Sequence, residues 1–320
     1  MMVQILIALA AGAASALMFV SIISGALISL VLFYLAPLPL MVAALGWGAG
    51  SALIGGLAAS AVIGAMIGLP YMLAFIVTVA LPAWWLGHLA LLAKPADGSP
   101  EAAQPILEWY PPGRLLAWLA AFASLTTITA LLSLGYDATS ITDVLKRGLT
   151  RMLGMRDSSG IDAADADKVI TMLVAIAPAA ATIVAMVTLT LNLWLAGKIT
   201  RTSGRLPRPW PALAAVELPP MTLAALSLAI ALCFTGGLLA LFSQIITAAL
   251  VMGYAFVGFA VLHTLTQATA MRGLWLGSSY AVVMVFGWPL LVVALIGIAD
   301  AIFGFRQRKI QQLKPPTISS

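Results

Sequence analysis

Long apolar runs separated by short polar connectors make up most of the chain. Residues 3–35, 40–66 and 70–93 are almost continuously apolar, and the first Asp, Glu, Lys or Arg is Lys94. A helix needs about 20 apolar residues to cross the hydrocarbon of a bilayer. Each run therefore predicts at least one transmembrane helix. The first run is too long for one untilted span, and Ser21, Ser24 and Gly25 in its middle predict two shorter helices or one broken helix. The prolines of the turn 36–39 are expected to end this run.

The second part of the chain continues the pattern with more charged connectors. Apolar runs cover 115–135, 169–196 and 274–299, and residues 218–271 carry no formal charge, which is enough for two spans broken near Gly236–Gly237. Runs of this length and composition predict an all-α polytopic transmembrane helix bundle of about eight spans, within a range of about seven to nine.

The charge distribution divides the chain into five parts. These are a charge-free transmembrane segment at 1–93, a proline-rich connector at 94–113, two spans flanking a polar connector at 114–210, a second transmembrane segment at 211–305 and a basic tail at 306–320. Proline disfavours helix in the residue before it, so the proline-rich connector is expected to be a loop.

The polar connector contains one segment of helical periodicity, residues 140–153. Its apolar side chains recur three and four residues apart, with basic residues between them. This spacing predicts an amphipathic helix that lies on the membrane surface or against the bundle. Ser140 and Asp143 are spaced as a capping box, which predicts that the helix begins at Ser140.

Composition adds the expected environment of the protein. Hydrophobic residues make up 62% of the chain and charged residues 8%, whereas ordinary globular domains carry about 25% charged residues. The lipid bilayer is therefore the expected partner. The net charge of +5 comes from Lys and Arg in the connectors, where the positive-inside effect and anionic lipids account for it, so nucleic acid is not expected to bind.

Two basic clusters, 198–208 and 305–309, are both expected in the cytoplasm because cytoplasmic loops are enriched in Lys and Arg. Three predicted spans between the clusters would place them on opposite sides of the membrane. One explanation is that one of these spans is re-entrant, and the break at Gly236–Gly237 is the first candidate. The alternative is that one of the two basic clusters is not cytoplasmic.

Few polar side chains lie inside the apolar runs, and because burying them in a membrane is costly, each is a candidate functional residue. The candidates for a polar cavity or for interhelical contacts are Asn192, Tyr254, His263, Gln267 and Asp300. His263 and Gln267 fit a cavity wall and interhelical hydrogen bonds equally well. Asp300 fits a partner of Arg306, an ion pathway or, the favoured interpretation, an acid that marks a helix end.

Small residues at four-residue spacing in the glycine-rich run allow helix backbones to approach closely. The candidate packing residues are Gly46, Gly50, Gly56 and Gly64, together with Ala10 and Ala14 in the first run. The packed stripe of the glycine-rich helix is expected to contain either Gly46 and Gly50 or Gly56 and Gly64.

Motifs that indicate catalysis or cofactor binding are missing from the sequence. H-E-x-x-H, G-x-S-x-G and G-x-x-x-x-G-K-[ST] do not occur, and no pair of carboxylates lies within an apolar run. His88, His263 and the lone Cys233 do not have the spacing of a metal site. We therefore expect neither an enzyme nor a bound metal or cofactor.

Four segments occur in a characteristic order along the chain. They are Phe33-Tyr34-Leu-Ala-Pro37-Leu-Pro39, Asn192-Leu-Trp194, Gly258-Phe-Ala-Val-Leu-His263, and Gly297-Ile-Ala-Asp300 with Phe305-Arg306. In this order the chain resembles the YybS-like family of uncharacterised polytopic bacterial membrane proteins, a domain-of-unknown-function family. That family is similar to the substrate-binding S components of energy-coupling-factor transporters and to the rod-shape protein MreD. The resemblance implies the bacterial cytoplasmic (inner) membrane.

The resemblance leaves two functions open. One is a small-solute transporter component like an S component, in which small residues spaced A-x-x-x-A on the first helix contact the coupling subunit. Ala10 and Ala14 match that spacing, as do Ala8, Gly12 and Ala16. The other is a non-transporting scaffold that assembles with other membrane proteins, like MreD. A polar cavity lined by His263, Gln267 or Tyr254 would favour the first, and a solid core with small-residue stripes facing lipid the second.

Overall fold

The computed structural model describes residues 2–96, 106–153, 163–212, 216–267 and 269–313. Its elements are α1 (Met2–Val20), α2 (Leu27–Leu35), α3 (Pro37–Trp47), α4 (Ala49–Met66), α5 (Leu69–Phe75), α6 (Leu81–Ala90), β1 (Ala93–Pro95), β2 (Leu107–Trp109), α7 (Pro112–Leu132), α8 (Ala138–Leu153), α9 (Ala163–Thr202), α10 (Met221–Leu232), α11 (Gly237–Leu265), α12 (Arg272–Phe286), α13 (Pro289–Phe303) and α14 (Phe305–Leu313). A 3₁₀ turn, Ser21–Ser24, follows α1, and a π-helical turn, Ile76–Ala80, joins α5 to α6.

Seven helical segments in the described ranges are long and apolar enough to cross a membrane, and the apolar helices α10 and α13 are shorter. The prediction of an all-α polytopic bundle is confirmed.

Glycines with positive φ, and not the prolines of the turn 36–39, separate the first three spans. Gly25 (φ 69°) lies between α1 and α2, and Gly48 (φ 94°) lies between α3 and α4. Pro37 lies in the first turn of α3, where its missing N–H removes no helical hydrogen bond. Because α2 and α3 form one kinked span, the prediction that the first apolar run ends at 36–39 is wrong.

The helices α1 and α4 cross with their backbones in contact. A Cβ atom added to Gly12 would overlap the carbonyl oxygen of Gly55, and one added to Gly55 would overlap the carbonyl oxygen of Ala8. Only glycine permits an approach this close, as is common where helices associate in lipid. The stripe of α1 that packs is therefore Ala8 and Gly12, which belong to the second of the two sets at this spacing; Ala10 of the first set is exposed.

One of the two predicted stripes of the glycine-rich helix is packed. A Cβ atom on Gly56 would lie 3.0 Å from the Cβ of Ala80, and one on Gly64 would lie 2.8 Å from the Sδ of Met72. A Cβ atom on Gly46 would lie 3.4 Å from the Cγ2 of Thr200.

The other predicted stripe fails at Gly50, where an added Cβ would meet nothing within 4 Å. Gly50 lies in the first turn of α4 and is exposed. The prediction of a packed stripe that contains both Gly46 and Gly50 is therefore wrong.

The proline-rich connector folds in part as a small β-hairpin. Strands β1 and β2 pair antiparallel, and an exposed salt bridge joins Lys94 Nζ to Glu108 Oε2 at 3.0 Å. Arg208, in the loop after α9, donates from Nη1 to the carbonyl oxygen of Ala90 (3.0 Å) and from Nη2 to that of Tyr110 (3.3 Å). The basic loop 198–208 is thus fixed against the end of α6 and the beginning of α7.

The amphipathic helix α8 begins earlier than predicted because Asp137 caps it. The backbone N–H of Ser140 donates to Asp137 Oδ1 at 2.9 Å, and this bond is the main reason that the pKa of the Asp137 carboxyl is lowered. Asp137 satisfies a backbone N–H that the first helical turn leaves free. The predicted capping box at Ser140 and Asp143 is therefore wrong.

The N-terminal half of α8 packs on the bundle. Ile141 is fully buried against Leu131 of α7 and Ile245 of α11, whereas Met152 is 86% exposed. An ion pair between Lys146 Nζ and Asp167 Oδ1 (2.6 Å) adds a contact with α9.

The predicted last span, 274–299, is two helices. α12 and α13 each have 15 residues, about 22 Å, which is shorter than the about 30 Å of hydrocarbon. Gly287, with φ 70°, separates them. Lys309 Nζ of α14 donates to the carbonyl oxygen of Leu265, the last residue of α11, at 2.7 Å. The chain therefore returns to its starting end, and α12 and α13 form a re-entrant hairpin.

Gly236 and Gly237, the first candidates for re-entry, join α10 to α11, and both have positive φ. α10 has 12 residues, fewer than α12 or α13, and it packs on α11. The chain therefore reverses at Gly236–Gly237 as well as at Gly287, and a re-entrant break at Gly236–Gly237 stays a prediction.

One end of the bundle carries the basic loop 198–208, the β-hairpin and α14, and we call it the basic end. Arg306 of α14 donates from Nη1 to the carbonyl oxygen of Val216 (2.9 Å), and Val216 lines the same cavity as Arg208 and His263. α9, with 40 residues and a length of about 60 Å, connects this end to α8 at the other.

Candidate functional site

A cavity of about 410 Å³ lies at the basic end between α7, α9 and α11, and we call it the apolar cavity. Most of its wall consists of Leu45, Ala90, Pro112, Leu115, Leu116, Leu119, Leu193, Leu206, Pro211, Val216, Phe256, Phe259 and Ala260. The groups on the wall that can form hydrogen bonds are Thr190, Trp194, Arg208, Trp210, His263 and Tyr280. A largely apolar wall with a few polar groups is typical of a small-molecule site.

Basic side chains lie over the rings of two tryptophans of the apolar cavity. Lys198 Nζ lies 5.6 Å from the ring centre of Trp194 and 5.2 Å from that of Trp210, and the Arg201 guanidinium lies 5.4 Å from Trp210. These distances are within the range of cation–π attraction. Gly197 faces the Trp210 ring: a Cβ there would lie 3.3 Å from its Cζ3 atom.

Arg208 is a cation on the wall of the apolar cavity itself. Its two Nη groups are bonded to backbone carbonyls, but its buried Nε has no hydrogen-bond partner among the described residues. Burial lowers the pKa of the Arg208 guanidinium from its ordinary value. No carboxylate in the described part of the chain forms a salt bridge with it.

The re-entrant hairpin contributes Tyr280 to the same cavity. Its hydroxyl lies 3.0 Å from His263 Nε2, and its ring stacks on Phe259 with the centres 4.6 Å apart. α12 has no buried residue. Tyr280 is thus a main contact between α12 and α11.

A second cavity, of about 530 Å³, lies between α10, α11 and the α13–α14 turn, and we call it the polar cavity. Its polar lining residues are Glu217, Tyr254, Asp300, Arg306, Gln307 and Arg308. The Tyr254 hydroxyl is 2.7 Å from the Thr222 hydroxyl and is almost fully buried.

Asp300 and Arg306 form a buried ion pair on the wall of the polar cavity. Arg306 Nε donates to Asp300 Oδ2 at 2.6 Å, its backbone N–H donates to Oδ1 at 3.0 Å, and the side chains are 1% and 4% exposed. Gly304, with φ 65°, turns the chain between the two residues. The pair thus fixes α14 against α13, and the bond from Arg306 to Val216 ties both to the segment before α10.

The predicted polar residues do not form one site. His263 lines the apolar cavity, whereas Tyr254 and Asp300 line the polar cavity. Asn192 is buried and donates from Nδ2 to the carbonyl oxygen of Tyr34 at 2.8 Å. This interhelical hydrogen bond joins two residues that are distant in sequence. Gln267 follows the end of α11, is exposed and lines neither of these two cavities.

Sequence reasoning missed Arg208 and Trp210 as cavity residues. Arg208 lies in the basic loop, where its charge was explained by the positive-inside effect, and Trp210 follows two residues later. An Arg and a Trp that alternate with three prolines, Pro207-Arg208-Pro209-Trp210-Pro211, could have indicated an ordered loop, since each proline restricts the backbone. As for metals, the described residues hold no group of three or more His, Cys, Asp or Glu side chains that could bind one.

The chain belongs to the family described as predicted membrane proteins (DUF2232), which it matches over residues 13–301. With its seven apolar helices it is an integral membrane protein. No curated protein matches the chain. No solved structure matches it either.

Proposed function

We propose that this protein binds a small solute in the apolar cavity as a component of a membrane transport system, in the manner of the S components that its sequence resembles. The observation that carries the proposal is the cavity itself, which is walled by three long helices and a fixed loop. Its volume, about 410 Å³, is within the range of about 300–1,000 Å³ usual for small-ligand sites.

The position of the cavity supports a transport role. It lies at an end of the bundle, and α12 covers part of it while remaining in contact mainly through Tyr280. A cover with few buried contacts can move at low cost in free energy. The inner membrane of a bacterium is the proposed location.

The binding test uses N-phenyl-1-naphthylamine, a neutral aromatic probe, with protein in phosphatidylcholine nanodiscs. Trp194 and Trp210 line the cavity, so bound probe should quench tryptophan emission by energy transfer. Thr190→Phe fills the cavity from α9, and Leu191→Phe, on the exposed side of the same helix, is the matched control. We expect affinity to fall at least about tenfold, about 1.4 kcal/mol, in Thr190→Phe alone. Equal binding by both variants and wild type would overturn the proposal.

A scaffold function is the second candidate, and one observation favours it. Gly273 and Gly277 of α12 have the G-x-x-x-G spacing of associating membrane helices, and a Cβ at either would meet nothing within 4 Å. A membrane protein that co-purifies in mild detergent with wild type but not with Gly277→Leu, while probe binding is unchanged, would support this role. Unchanged co-purification would contradict it.

A further inference from the structure

The geometry points to an organic anion as the solute of the apolar cavity: a molecule with an apolar body and a carboxylate, sulfonate or phosphate group that pairs with the Arg208 guanidinium on the cavity wall. This inference rests on the proposed function and specifies its substrate class.

The first argument is the unsatisfied donor. A buried polar group without a hydrogen bond costs free energy comparable to that of a lost bond, and the cost is greater for a charged group. Arg208 Nε is buried and has no partner in the described part of the chain, although both Nη groups of the same side chain are bonded. The unmet donor and the lack of a carboxylate partner in the described residues leave the charge of this guanidinium uncompensated, and an acidic group of a ligand at the cavity wall would compensate it.

The second argument is the charge of the surroundings. The loop from Lys198 to Arg208 contains four cations and no acid, and two of them lie against the tryptophans of the cavity wall. A region of one charge sign beside a low-dielectric cavity attracts ions of the opposite sign. The cations lie outside the cavity, the tryptophans lie between them and the interior, and the interior is apolar. This arrangement suits a molecule that is acidic at one end and apolar at the other.

A purely structural role for Arg208 is the alternative. Its Nη bonds to Ala90 and Tyr110 hold the loop against α6 and α7, and these bonds need no ligand. Loss of this role would disturb the whole cavity, and therefore the binding of neutral as well as anionic molecules. The two roles can be separated with two probes that share one body.

The experiment compares 8-anilinonaphthalene-1-sulfonate with N-phenyl-1-naphthylamine, which is the same ring system without the acidic group. Both are titrated against wild type, Arg208→Gln, Arg208→Lys and Lys198→Gln in phosphatidylcholine nanodiscs. We expect Arg208→Gln to weaken binding of the sulfonate at least about tenfold more than binding of the neutral probe, since only the sulfonate loses a charge-assisted hydrogen bond. Any loss caused by release of the loop affects both probes alike, and Arg208→Lys, which keeps the charge, should retain most of the sulfonate affinity.

The results distinguish this inference from the proposed function. Equal sulfonate binding by wild type and Arg208→Gln would overturn the anion assignment, and so would an equal loss of both probes. In either case, cavity binding stands if Thr190→Phe still blocks the neutral probe. Adding phosphatidylglycerol to the nanodiscs identifies the source of the natural anion: displacement of the sulfonate indicates a lipid, and no displacement indicates a soluble solute.

Discussion

The N-terminal helices, residues 2–92, and the C-terminal helices, residues 216–313, both use glycine pairs to bring two helix backbones into contact. Gly12 and Gly55 do so in the first region, and Gly258 and Gly297 do so between α11 and α13 in the second. Both regions also contain helix breaks at glycines with positive φ. The first region has no charged side chain, whereas the second has a buried ion pair and the whole polar cavity. Neither close packing nor helix breaks therefore distinguish a structural region from one with sites; buried charges do.

The largest effect is expected from Gly12→Leu and Gly297→Leu, which place a side chain where the facing helix has backbone atoms. Overpacking a core typically costs about 1–3 kcal/mol, and here the backbone itself must move, so most folded protein should be lost. Monodisperse yield in detergent and thermal unfolding measure this. Gly50→Leu, in open space, is the control and should change neither. A Gly297→Leu variant as stable as Gly50→Leu would show that only the N-terminal region depends on such contacts.

The next largest loss of stability is expected in the C-terminal region alone, when its buried ion pair is broken. Asp300→Ala leaves Arg306 buried without its partner, and removing one member of a buried ion pair costs about 3–5 kcal/mol. Asp300→Leu with Arg306→Met removes both charges and should be less harmful than Asp300→Ala alone. Thermal unfolding in detergent compares the two variants with wild type. If the double variant is the less stable one, the pair does more than satisfy two buried charges.

A smaller effect should separate two glycines within the N-terminal region. Gly56 faces the Cβ of Ala80, which cannot move without its helix, whereas Gly64 faces the end of the flexible Met72 side chain. Both Gly56→Leu and Gly64→Leu should lower folded yield in detergent, and Gly56→Leu should lower it more. Equal yields for the two variants would mean that the rigidity of the facing group does not matter, and unchanged yields would mean that this stripe is not packed.

No loss of stability is expected from the last test, which concerns the two ends of the bundle. In a Cys233→Ala background, Thr202→Cys near the basic loop should resist a membrane-impermeant thiol reagent in intact cells, because loops rich in Lys and Arg are cytoplasmic. Thr142→Cys, exposed on α8, should be labelled. Labelling of Thr202→Cys but not of Thr142→Cys would show that the basic end lies outside the cytoplasm.

The fold could be predicted in outline because the membrane imposes it. Charge-free runs such as 3–35 can be buried only in lipid or protein, and backbone groups in lipid must be satisfied within helices. The breaks were harder to place. The break at Gly25 could be proposed because it lies in the middle of a run too long for one span. Pro37 was an obvious break but lies where a helix tolerates proline, whereas Gly48 and Gly287 act through positive φ, which a glycine-rich sequence does not reveal.

The candidate site was less predictable because it depends on segments distant in sequence. Polar residues in apolar runs identified His263 and Tyr254 as cavity residues. The apolar cavity that contains His263 also takes part of its wall from the 206–211 segment, which is distant from it in sequence. Arg208 belongs to that segment, and its bonds to Ala90 and Tyr110 link residues about a hundred positions apart. No local pattern encodes such a contact.

The re-entrant hairpin has a consequence for biosynthesis. Since α12 and α13 begin and end at the basic end, the described chain enters and leaves the membrane there as successive helical hairpins: α1 with α2–α3, α4 with α5–α6, α7 with α9, the 216–232 segment with α11, and α12 with α13. With the basic end in the cytoplasm, the translocation machinery has one long hydrophilic stretch to export, the connector around α8. Each of the other hairpins can insert from one side with a turn of only a few residues at its tip.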